Sequence, residues 1–296
     1  MFRGTYTALV TPFRDGAIDP GAFERLIESQ IAAGITGVVA IGTTGETPTL
    51  SHEEREQVIR LAVKIANGRC HVFAGTGSYS TSDAIAATVA AEKMGVAAAL
   101  IVAPYYNKPS QEGLFRHFQA IARATSLRIM LYNIPGRCGV DIHAATVERL
   151  ATECSNIVSI KEASGSVDRV SELRARLPEA FTILSGDDAL TLPFMSVGAV
   201  GVVSVASNLI PAEVCALVQA FEQGDTRGAA EMHRRLLPLF KDLFIEPNPV
   251  PVKTALQWRG LMSAEVRLPL CEMTPAHQEK LRKTLAAFEH AALPAR

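Results

Sequence analysis

The segment NIVSIKEASG, residues 156–165, decides the fold. Its apolar part is short, rich in β-branched residues and bounded by turn residues, which predicts a fully buried strand ending at Lys161. An ammonium group at such a position is costly to desolvate, so its pKa tends to fall. A lysine with a lowered pKa can form a Schiff base with a carbonyl compound. The alternative is a lysine whose stem packs on the strand while its head reaches water.

Apolar runs of this kind recur through the first two thirds of the chain. We predict strands at Thr7–Val10, Gly37–Ile41, His71–Ala74, Ala98–Val102, Arg128–Tyr132, Ile157–Lys161, Phe181–Leu184 and Gly198–Val205. The spacing of apolar residues between them predicts helices that include Pro20–Ala33, Ser51–Ala66, Ser82–Met94, Gln111–Thr125 and Ala144–Ala151. Such an alternation predicts an α/β protein with the (β/α)8 TIM-barrel fold.

A doubly wound open sheet is the alternative fold for an alternating pattern. Its dinucleotide-binding motif needs three glycines, but residues 75–80 read GTGSYS, with serine where the third glycine belongs. The pattern therefore favours the barrel.

The pattern changes after Asn208. Segments 211–224, 226–245, 250–262 and 275–291 have helical spacing without strands between them. Three prolines at 247, 249 and 251 would break a continuous helix there. We predict a catalytic barrel over 1–224 and a C-terminal helical extension over 225–296.

Composition excludes several classes of function. The formal net charge of −1 over 296 residues offers no basic field for nucleic acid or an anionic membrane. No apolar stretch has membrane-spanning length, and the first residues lack the apolar core of a signal peptide. Five scattered cysteines without a CxxC pair indicate reduced thiols and a cytoplasmic protein. Seven histidines without HxxxH or HExxH spacing argue against a zinc site.

Catalytic groups of a TIM barrel lie at the carboxyl ends of its strands. The second strand is followed by GTTGE at 42–46, where Thr43, Thr44 and backbone N–H groups could hold a carboxylate, although a tight turn with a helix cap is the alternative. The fourth strand is followed by Tyr105 and Tyr106, of which at most one should face the barrel mouth of its own subunit, the alternative being rim or interface aromatics.

The fifth strand ends at Tyr132, which could transfer a proton, and Arg137 follows, which could grip a carboxylate through two hydrogen bonds. Each residue alone is as readily structural as functional. Asp187 and Asp188 follow the seventh strand, and we predict a helix cap rather than a metal site because no further ligands lie nearby. Together with Lys161, these strand ends predict a site for a small α-keto acid.

Eight motifs carry a resemblance that runs over essentially the whole chain. They are ALVTP at 8–12, GTTGE at 42–46, AGTG at 74–77, PYYNKP at 104–109, LYNIPGR at 131–137, IKEA at 160–163, SGDD at 185–188 and EPNPVPVK at 246–253. The chain resembles the dihydrodipicolinate synthase family of pyruvate-dependent class I aldolases. Cys138 departs from the family, which usually has threonine at that position.

The resemblance implies an activity. Pyruvate would condense with L-aspartate 4-semialdehyde through a lysine Schiff base, giving 4-hydroxy-tetrahydrodipicolinate for lysine and diaminopimelate biosynthesis, without a metal or cofactor. The implied catalytic residues are Lys161, Tyr132, Thr43 and Tyr106, and the implied substrate-binding residues are Thr44, Arg137, Gly186 and Val203. The resemblance also implies a cytoplasmic homotetramer, a dimer of dimers, in which Tyr106 comes from a neighbouring subunit.

Feedback-sensitive relatives bind lysine at positions that align with Thr47 and with His52, Arg55, Tyr79, Asp83 and Tyr105. Arg55, Tyr79 and Asp83 replace histidine, asparagine and glutamate, and each change works against a cationic ligand. We therefore predict weak or absent inhibition by lysine.

Two rival functions stay open from the sequence. A sibling lyase that cleaves a sugar acid to pyruvate would use the same Lys161 and Tyr132, although Arg137 suits its polyol chain poorly. A non-catalytic barrel that binds a keto acid for regulation would show binding without turnover.

Overall fold

Eight parallel strands close into a barrel in the computed structural model, which describes residues 2–292. The barrel strands are β1 (Gly4–Ala8), β4 (Gly37–Ala40), β5 (His71–Gly75), β6 (Ala98–Val102), β7 (Arg128–Asn133), β8 (Ile157–Glu162), β9 (Thr182–Ser185) and β10 (Gly201–Ser204). Each pairs with the next in this order, and β10 closes the barrel on β1. A small hairpin, β2 (Phe13–Arg14) and β3 (Ala17–Ile18), follows β1.

Helices connect the strands and continue beyond them. They are α1 (Pro20–Ala32), α2 (His52–Ala66), α3 (Thr81–Lys93), α4 (Gln111–Arg123), α5 (Pro135–Cys138), α6 (Ala144–Glu153), α7 (Val167–Arg176), α8 (Thr191–Met195), α9 (Pro211–Glu222), α10 (Thr226–Asp242), α11 (Val250–Trp258) and α12 (Pro275–Ala292). Short 3₁₀ turns lie at Thr47–Thr49, Asp188–Leu190 and Ala206–Asn208. Over residues 2–292, no helix has both the length and the apolar character that crossing a bilayer requires.

Hydroxyl side chains begin several helices just after a strand end. Ser51 opens α2 with a reciprocal capping box, in which it accepts from the N–H of Glu54 and the Glu54 carboxylate accepts from its N–H. Ser80, Ser110 and Ser166 cap α3, α4 and α7 in the same region of each βα unit. These caps fix where each loop at the barrel mouth ends.

Strand alternation directs Lys161 into the barrel. Its neighbour Ile160 packs in the layer between strands and helices, while Lys161 lies in register with Tyr132 and Leu184, which both belong to the apolar interior of the barrel. Glu162 points the other way, and its carboxylate accepts from Asn133 Nδ2 at 3.1 Å. The adjacent residues Lys161 and Glu162 of β8 therefore point to opposite faces of the sheet, the lysine into the barrel and the glutamate away from it.

The closed sheet confirms the barrel and rules out the open-sheet alternative. Element boundaries differ from the sequence-based ones at strand ends: β1 starts at Gly4 rather than Thr7, and β10 covers Gly201–Ser204 rather than 198–205. The helix predicted over 250–262 ends at Trp258, and the one over 226–245 ends at Asp242. The predicted and observed ends differ because local apolar content does not reveal which residues pair across a sheet or where a helix stops.

Candidate active site

Lys161 stands at the carboxyl end of β8 with a side chain that is only 6% exposed. Its Nζ lies 4.1 Å from the centroid of the Tyr132 ring on the adjacent strand. Among residues 2–292 it has no carboxylate within ion-pair distance, unlike Lys253, whose Nζ is 2.7 Å from Glu46 Oε1. Lys161 is therefore a buried amine held by packing and a cation–π contact rather than by a salt bridge.

The pKa of Lys161 is lowered to about 8: burial is the main cause, the negative charge of Asp188 opposes it, and the positive charge of Arg137 adds to the lowering. At this pKa roughly a tenth of the amine is neutral at pH 7, compared with about 0.03% at the ordinary value of 10.5. The site therefore raises the supply of nucleophilic amine by a factor of several hundred.

The Lys161 side chain is enclosed by small and apolar neighbours. A Cβ on Gly186 would lie 2.9 Å from Lys161 Cε, so a larger residue there would displace the lysine. Val203 is buried in the same apolar interior as Tyr132 and Leu184. Gly186 thus lies beside the lysine side chain, and Val203 lies in the barrel interior.

Tyr132 and Thr43 form a pair between two strand ends. The Tyr132 hydroxyl and Thr43 line the same cavity, and burial raises the pKa of Tyr132 to about 12 against the lowering effects of Thr43 and Arg137. The tyrosine is therefore neutral at pH 7, with a hydroxyl that can pass a proton along a hydrogen-bonded chain.

The loop after β4 is strained at both ends. Ile41 has a φ of +49° and Glu46 a φ of +56°, in the left-handed region that β-branched and other side chains avoid. Within the described residues, the backbone N–H groups of Thr43 and Thr44 donate to no carbonyl. Strained backbone with unused donors is typical of a loop that binds an anion.

Thr44 adds a side-chain donor to this loop. Its hydroxyl is buried and accepts a hydrogen bond from Asn248 Nδ2 at 2.9 Å. The Asn248 bond uses one of the two lone pairs of the hydroxyl, so its hydrogen stays available to donate, and no acceptor for it lies among the residues described. Asn248 Oδ1 is also buried without a partner in that part of the chain.

Glu46, at the end of the loop, is tied to the C-terminal extension. Lys253 is fully buried and donates to Glu46 Oε1 at 2.7 Å and to the Thr11 carbonyl at 2.9 Å. The backbone N–H of Arg267 donates to Glu46 Oε2 at 3.0 Å. Two segments of the extension therefore hold the loop that carries Thr43 and Thr44.

Arg137 lies in the short helix α5, exposed at the edge of a cavity of about 260 Å3. Thr43, Tyr132 and Cys138 also line this cavity, and no acidic residue does. Burial raises the pKa of the Cys138 thiol to about 11, so it is protonated at neutral pH. Nothing in the structure explains why cysteine occupies this position.

The two adjacent tyrosines point to different surroundings, as the sequence predicted. Tyr105 lines the cavity and packs edge-on against Tyr79, with ring centroids 5.3 Å apart. Tyr106 is 92% exposed and has a φ of +73°. Tyr106 therefore takes no part in the cavity of its own chain.

Only some of the positions that align with the lysine-binding site of feedback-sensitive relatives line the cavity. Thr47, Arg55 and Tyr105 line the cavity. His52 and Asp83 are exposed at the starts of α2 and α3, and Tyr79 is 55% exposed. Of the aligned positions, those that line the cavity therefore include a cationic residue, Arg55.

Asp187 and Asp188 have separate roles. Asp187 caps the 3₁₀ turn through the N–H of Ala189, as predicted. The cap prediction is wrong for Asp188, which is buried and accepts from the backbone N–H groups of Val205 and Ala206, each at 3.0 Å. Asp188 and Asn248 are the two residues near the site whose contacts the sequence reasoning missed, since both act through partners in loops that are distant in the sequence. Their positions in the SGDD and EPNPVPVK motifs were the available signal.

Metal-ligating side chains do not converge in the described chain. No group of three or more His, Cys, Asp or Glu side chains within residues 2–292 has an arrangement that could hold a metal ion.

Comparison with known proteins gives a consistent set of relatives. The sequence profile described as "Dihydrodipicolinate synthetase family" matches residues 1–288. A 4-hydroxy-tetrahydrodipicolinate synthase of Endomicrobium trichonymphae is 51% identical over 288 residues, covering 97% of this chain and 99% of that protein. The solved structure of the synthase from Methylacidiphilum fumariolicum SolV is 59% identical, with a TM-score of 0.97 over 98% of this chain and 97% of that one. The dihydrodipicolinate synthase of Cyanidioschyzon merolae, solved with lysine bound, is 42% identical with a TM-score of 0.95 over 97% and 98% of the two chains.

Proposed function

The chain belongs to the dihydrodipicolinate synthetase family and condenses pyruvate with L-aspartate 4-semialdehyde to 4-hydroxy-tetrahydrodipicolinate in lysine and diaminopimelate biosynthesis, and we propose which of its residues carry that reaction. The single observation that carries the proposal is the buried Lys161 amine, which has a lowered pKa and no acidic partner in the described structure.

Lys161 is the nucleophile. Its neutral amine attacks the pyruvate ketone, and loss of water gives an iminium in which the nitrogen is bonded to C2 of pyruvate. The iminium draws electrons from the adjacent methyl group, so a methyl proton leaves and an enamine forms. The absence of a side chain at Gly186 leaves the space that Lys161 Cε occupies, so the lysine can extend to the substrate.

The loop of Thr43 and Thr44 holds the pyruvate carboxylate. Its unused backbone N–H groups and the free hydroxyl hydrogen of Thr44 are donors suited to a carboxylate. Their position at the end of the strand adjoining β5 and β1, on the barrel rim, suits a substrate bonded to Lys161 inside the barrel.

Proton transfer uses the hydroxyl pair of Tyr132 and Thr43. The neutral Tyr132 hydroxyl, which shares the cavity with Thr43, can carry protons to and from the reacting atoms. We propose that Tyr106 of a neighbouring subunit completes this relay in a homotetramer, a dimer of dimers. The 92% exposure of Tyr106 supports a role outside its own chain.

Arg137 binds the carboxylate of aspartate semialdehyde. The enamine carbon attacks the aldehyde, and the amino group of that substrate then attacks the imine carbon, which closes the ring and releases Lys161. Arg137 suits the carboxylate because it is exposed on a cavity that has no acidic lining residue.

The division into a catalytic barrel over 1–224 and an extension over 225–296, and a location in the cytoplasm, are part of the same proposal. Lys253 and Asn248 give the extension a supporting role, since both contact the loop of the carboxylate site.

Trapping with borohydride tests the nucleophile. Incubation with pyruvate and borohydride should add one reduced pyruvyl group to the peptide that contains Lys161, and Lys161→Ala should abolish the adduct. A coupled assay with pyruvate and aspartate semialdehyde, beside a sialic-acid cleavage assay, separates synthase from sibling lyase. An adduct on a different lysine would show that Lys161 is not the nucleophile.

Complementation tests Tyr106. Tyr106→Phe and Lys161→Ala proteins, each inactive alone, should recover part of the activity after subunit exchange, because a mixed dimer contains one complete site. Exchange shown by mass labelling without any recovered activity would contradict a role across the subunit boundary.

A further inference from the structure

A buried carboxylate lies directly behind the candidate nucleophile, on the outer face of β8. Glu162 follows Lys161 in the chain, is fully buried and points away from the barrel interior. Its Oε1 accepts from the backbone N–H of Ser164 at 2.8 Å and its Oε2 from Arg169 Nε at 3.3 Å, while Asn133 Nδ2 lies 3.1 Å from each oxygen. Two neutral N–H donors and one guanidinium therefore converge on this carboxylate.

The carboxylate joins the ends of two adjacent strands that carry active-site residues. Asn133 ends β7 and is in register with Glu162. One residue earlier on the same two strands, Tyr132 is in register with Lys161. The Glu162 carbonyl also accepts from the backbone N–H of Gly186 at 2.8 Å. The network thus fastens the sheet at the level of the amine, on the opposite face.

The same network reaches the loop that carries Arg137. Asn133 Oδ1 accepts from the backbone N–H of Ile142 at 3.0 Å, and Asn133 Nδ2 donates to Asp141 Oδ1 at 2.7 Å. Arg169 donates to the carbonyl of Ile142. Because Arg137 lies in α5, a few residues earlier in this loop, the network ties its loop to the two strand ends.

Barrel closure does not require this carboxylate, since β7 and β8 already pair through their backbones. A buried ion pair is also weak evidence for stability, because apolar residues of similar volume are often as stable. We propose that Glu162 is a positioning residue for the synthase reaction. Through Asn133 and Arg169 it fixes where β7 and β8 end, and so where the Lys161 amine meets pyruvate. The inference rests on the proposed role of Lys161 as the nucleophile.

Positioning and charge predict different results when Glu162 and Arg169 are each replaced by glutamine. Loss of the negative charge would lower the pKa of Lys161 and speed its reaction with pyruvate at pH 7, whereas loss of the positive charge would raise that pKa and slow the reaction. Positioning slows the reaction in both variants. Glutamine at 162 places an NH2 group against an N–H donor, and glutamine at 169 removes the guanidinium that holds both Glu162 and Ile142.

Borohydride trapping of pyruvate on the full-length enzyme at pH 7, timed by mass spectrometry, tests the inference. We expect Glu162→Gln and Arg169→Gln each to slow trapping by about tenfold or more, because a displacement of about 1 Å can cost about a hundredfold in rate. Thermal melting establishes that each variant is folded at the assay temperature.

Two control variants remove similar hydrogen bonds at the other end of the barrel. Arg174 lies in the last turn of α7, the helix that begins near Arg169, and donates to the carbonyls of Leu177, Pro178 and Phe181. Asn156 precedes β8 and donates to the carbonyls of Ala122, Thr125 and Leu127. Arg174→Gln and Asn156→Ala should lower the melting temperature and leave the trapping rate unchanged.

Three results would overturn the inference: trapping at the wild-type rate in Glu162→Gln or Arg169→Gln, opposite changes in these two variants, or equal slowing in the controls. Should Glu162→Gln fail to fold, Arg169→Gln carries the same test alone. Lys161→Ala, measured beside them, separates this inference from the proposed function. An adduct that persists in Lys161→Ala refutes the proposed function, whereas its loss there, with undiminished trapping in Glu162→Gln, refutes the positioning role alone.

Discussion

Asn248, in the C-terminal extension, donates its side-chain N–H to the hydroxyl of Thr44 at 2.9 Å, although the two residues lie 204 positions apart. This bond leaves the Thr44 hydroxyl hydrogen free for a substrate carboxylate. The extension therefore contacts the candidate pyruvate site directly and supports it from outside the barrel.

We predict that Asn248→Ala raises the KM for pyruvate about fivefold, because losing a hydrogen bond of about 1 kcal/mol lets the Thr44 hydroxyl turn away. The KM for aspartate semialdehyde should change little. Steady-state kinetics with each substrate varied provides the measurement. In a Thr44→Val background the same substitution should have little further effect, and fully additive losses would show that Asn248 does not act through Thr44.

The two buried lysines should respond oppositely to replacement by methionine. Lys161→Met removes a poorly solvated charge and should stabilise the protein by about 3 kcal/mol at pH 7, since its pKa is lowered from 10.5 to about 8. The folded-state pKa is below the unfolded one, so wild-type stability rises between pH 8 and 10.5 and the gain from methionine shrinks over that window. Urea unfolding at pH 7 and pH 9.5 measures both effects.

Lys253→Met should instead cost about 3–5 kcal/mol, because it leaves the Glu46 carboxylate buried and unpaired. The same unfolding experiment provides the comparison. Destabilisation by both substitutions, to a similar extent, would mean that Lys161 is held by a partner as Lys253 is.

Imine formation should depend on pH through the Lys161 amine. Below pH 8 the rate of pyruvate trapping should rise about tenfold per pH unit and then level off, because only the neutral amine attacks. Arg137 lowers the pKa of Lys161, Asp188 raises it, and Tyr132 stays neutral. Asp188→Asn should therefore move the midpoint to lower pH; a midpoint that stays in place would show that Asp188 has only a structural role.

Arg137→Ala should leave pyruvate trapping on Lys161 largely intact while raising the KM for aspartate semialdehyde. Loss of a charge-assisted contact of about 2 kcal/mol corresponds to roughly a thirtyfold effect. Arg128→Ala is the matched control, since Arg128 begins β7, the strand that leads to α5, and so lies at the opposite end of the barrel. An unchanged KM for the aldehyde would show that Arg137 does not hold its carboxylate.

Lysine should inhibit this enzyme weakly or not at all. Arg55 lines the cavity with a permanent positive charge that repels the lysine ammonium, and losing one well-placed contact weakens a site about tenfold to a hundredfold. Steady-state assays with millimolar lysine provide the test. A variant carrying Arg55→His, Tyr79→Asn and Asp83→Glu should gain sensitivity. Strong inhibition of the wild type at submillimolar lysine would contradict the prediction.

Local sequence was sufficient to predict the barrel and the buried position of Lys161. The alternation of apolar runs and helical segments follows from the geometry of strands and helices, so it is legible without coordinates. The same holds for Lys161, because strand alternation directs one residue of Ile160, Lys161 and Glu162 inward. Local sequence also predicted that Asp187 is a helix cap and that Tyr105 and Tyr106 have different surroundings.

Contacts between segments that are distant in the sequence could not be predicted from the sequence. The sequence predicted that Asp188 is a helix cap, yet Asp188 accepts hydrogen bonds from the backbone N–H groups of Val205 and Ala206 on the next βα unit. Asn248 read only as part of a family motif, and its bond to Thr44 depends on how the extension packs on the barrel rim. Arg55 read as a substitution in a lysine site, whereas the structure puts it in a cavity with Arg137.

The barrel, the buried lysine and the residue types at the strand ends could be predicted from the sequence, because each depends on patterns of a few neighbouring residues. Which of the two buried lysines forms an ion pair depends on how the folded chain packs. Lys161 and Lys253 are both withdrawn from water, but only Lys253 has a carboxylate 2.7 Å away, from a residue more than 200 positions earlier. A charge's partner is set by proximity in space, and chain closure brings together groups whose separation in sequence carries no information about their distance.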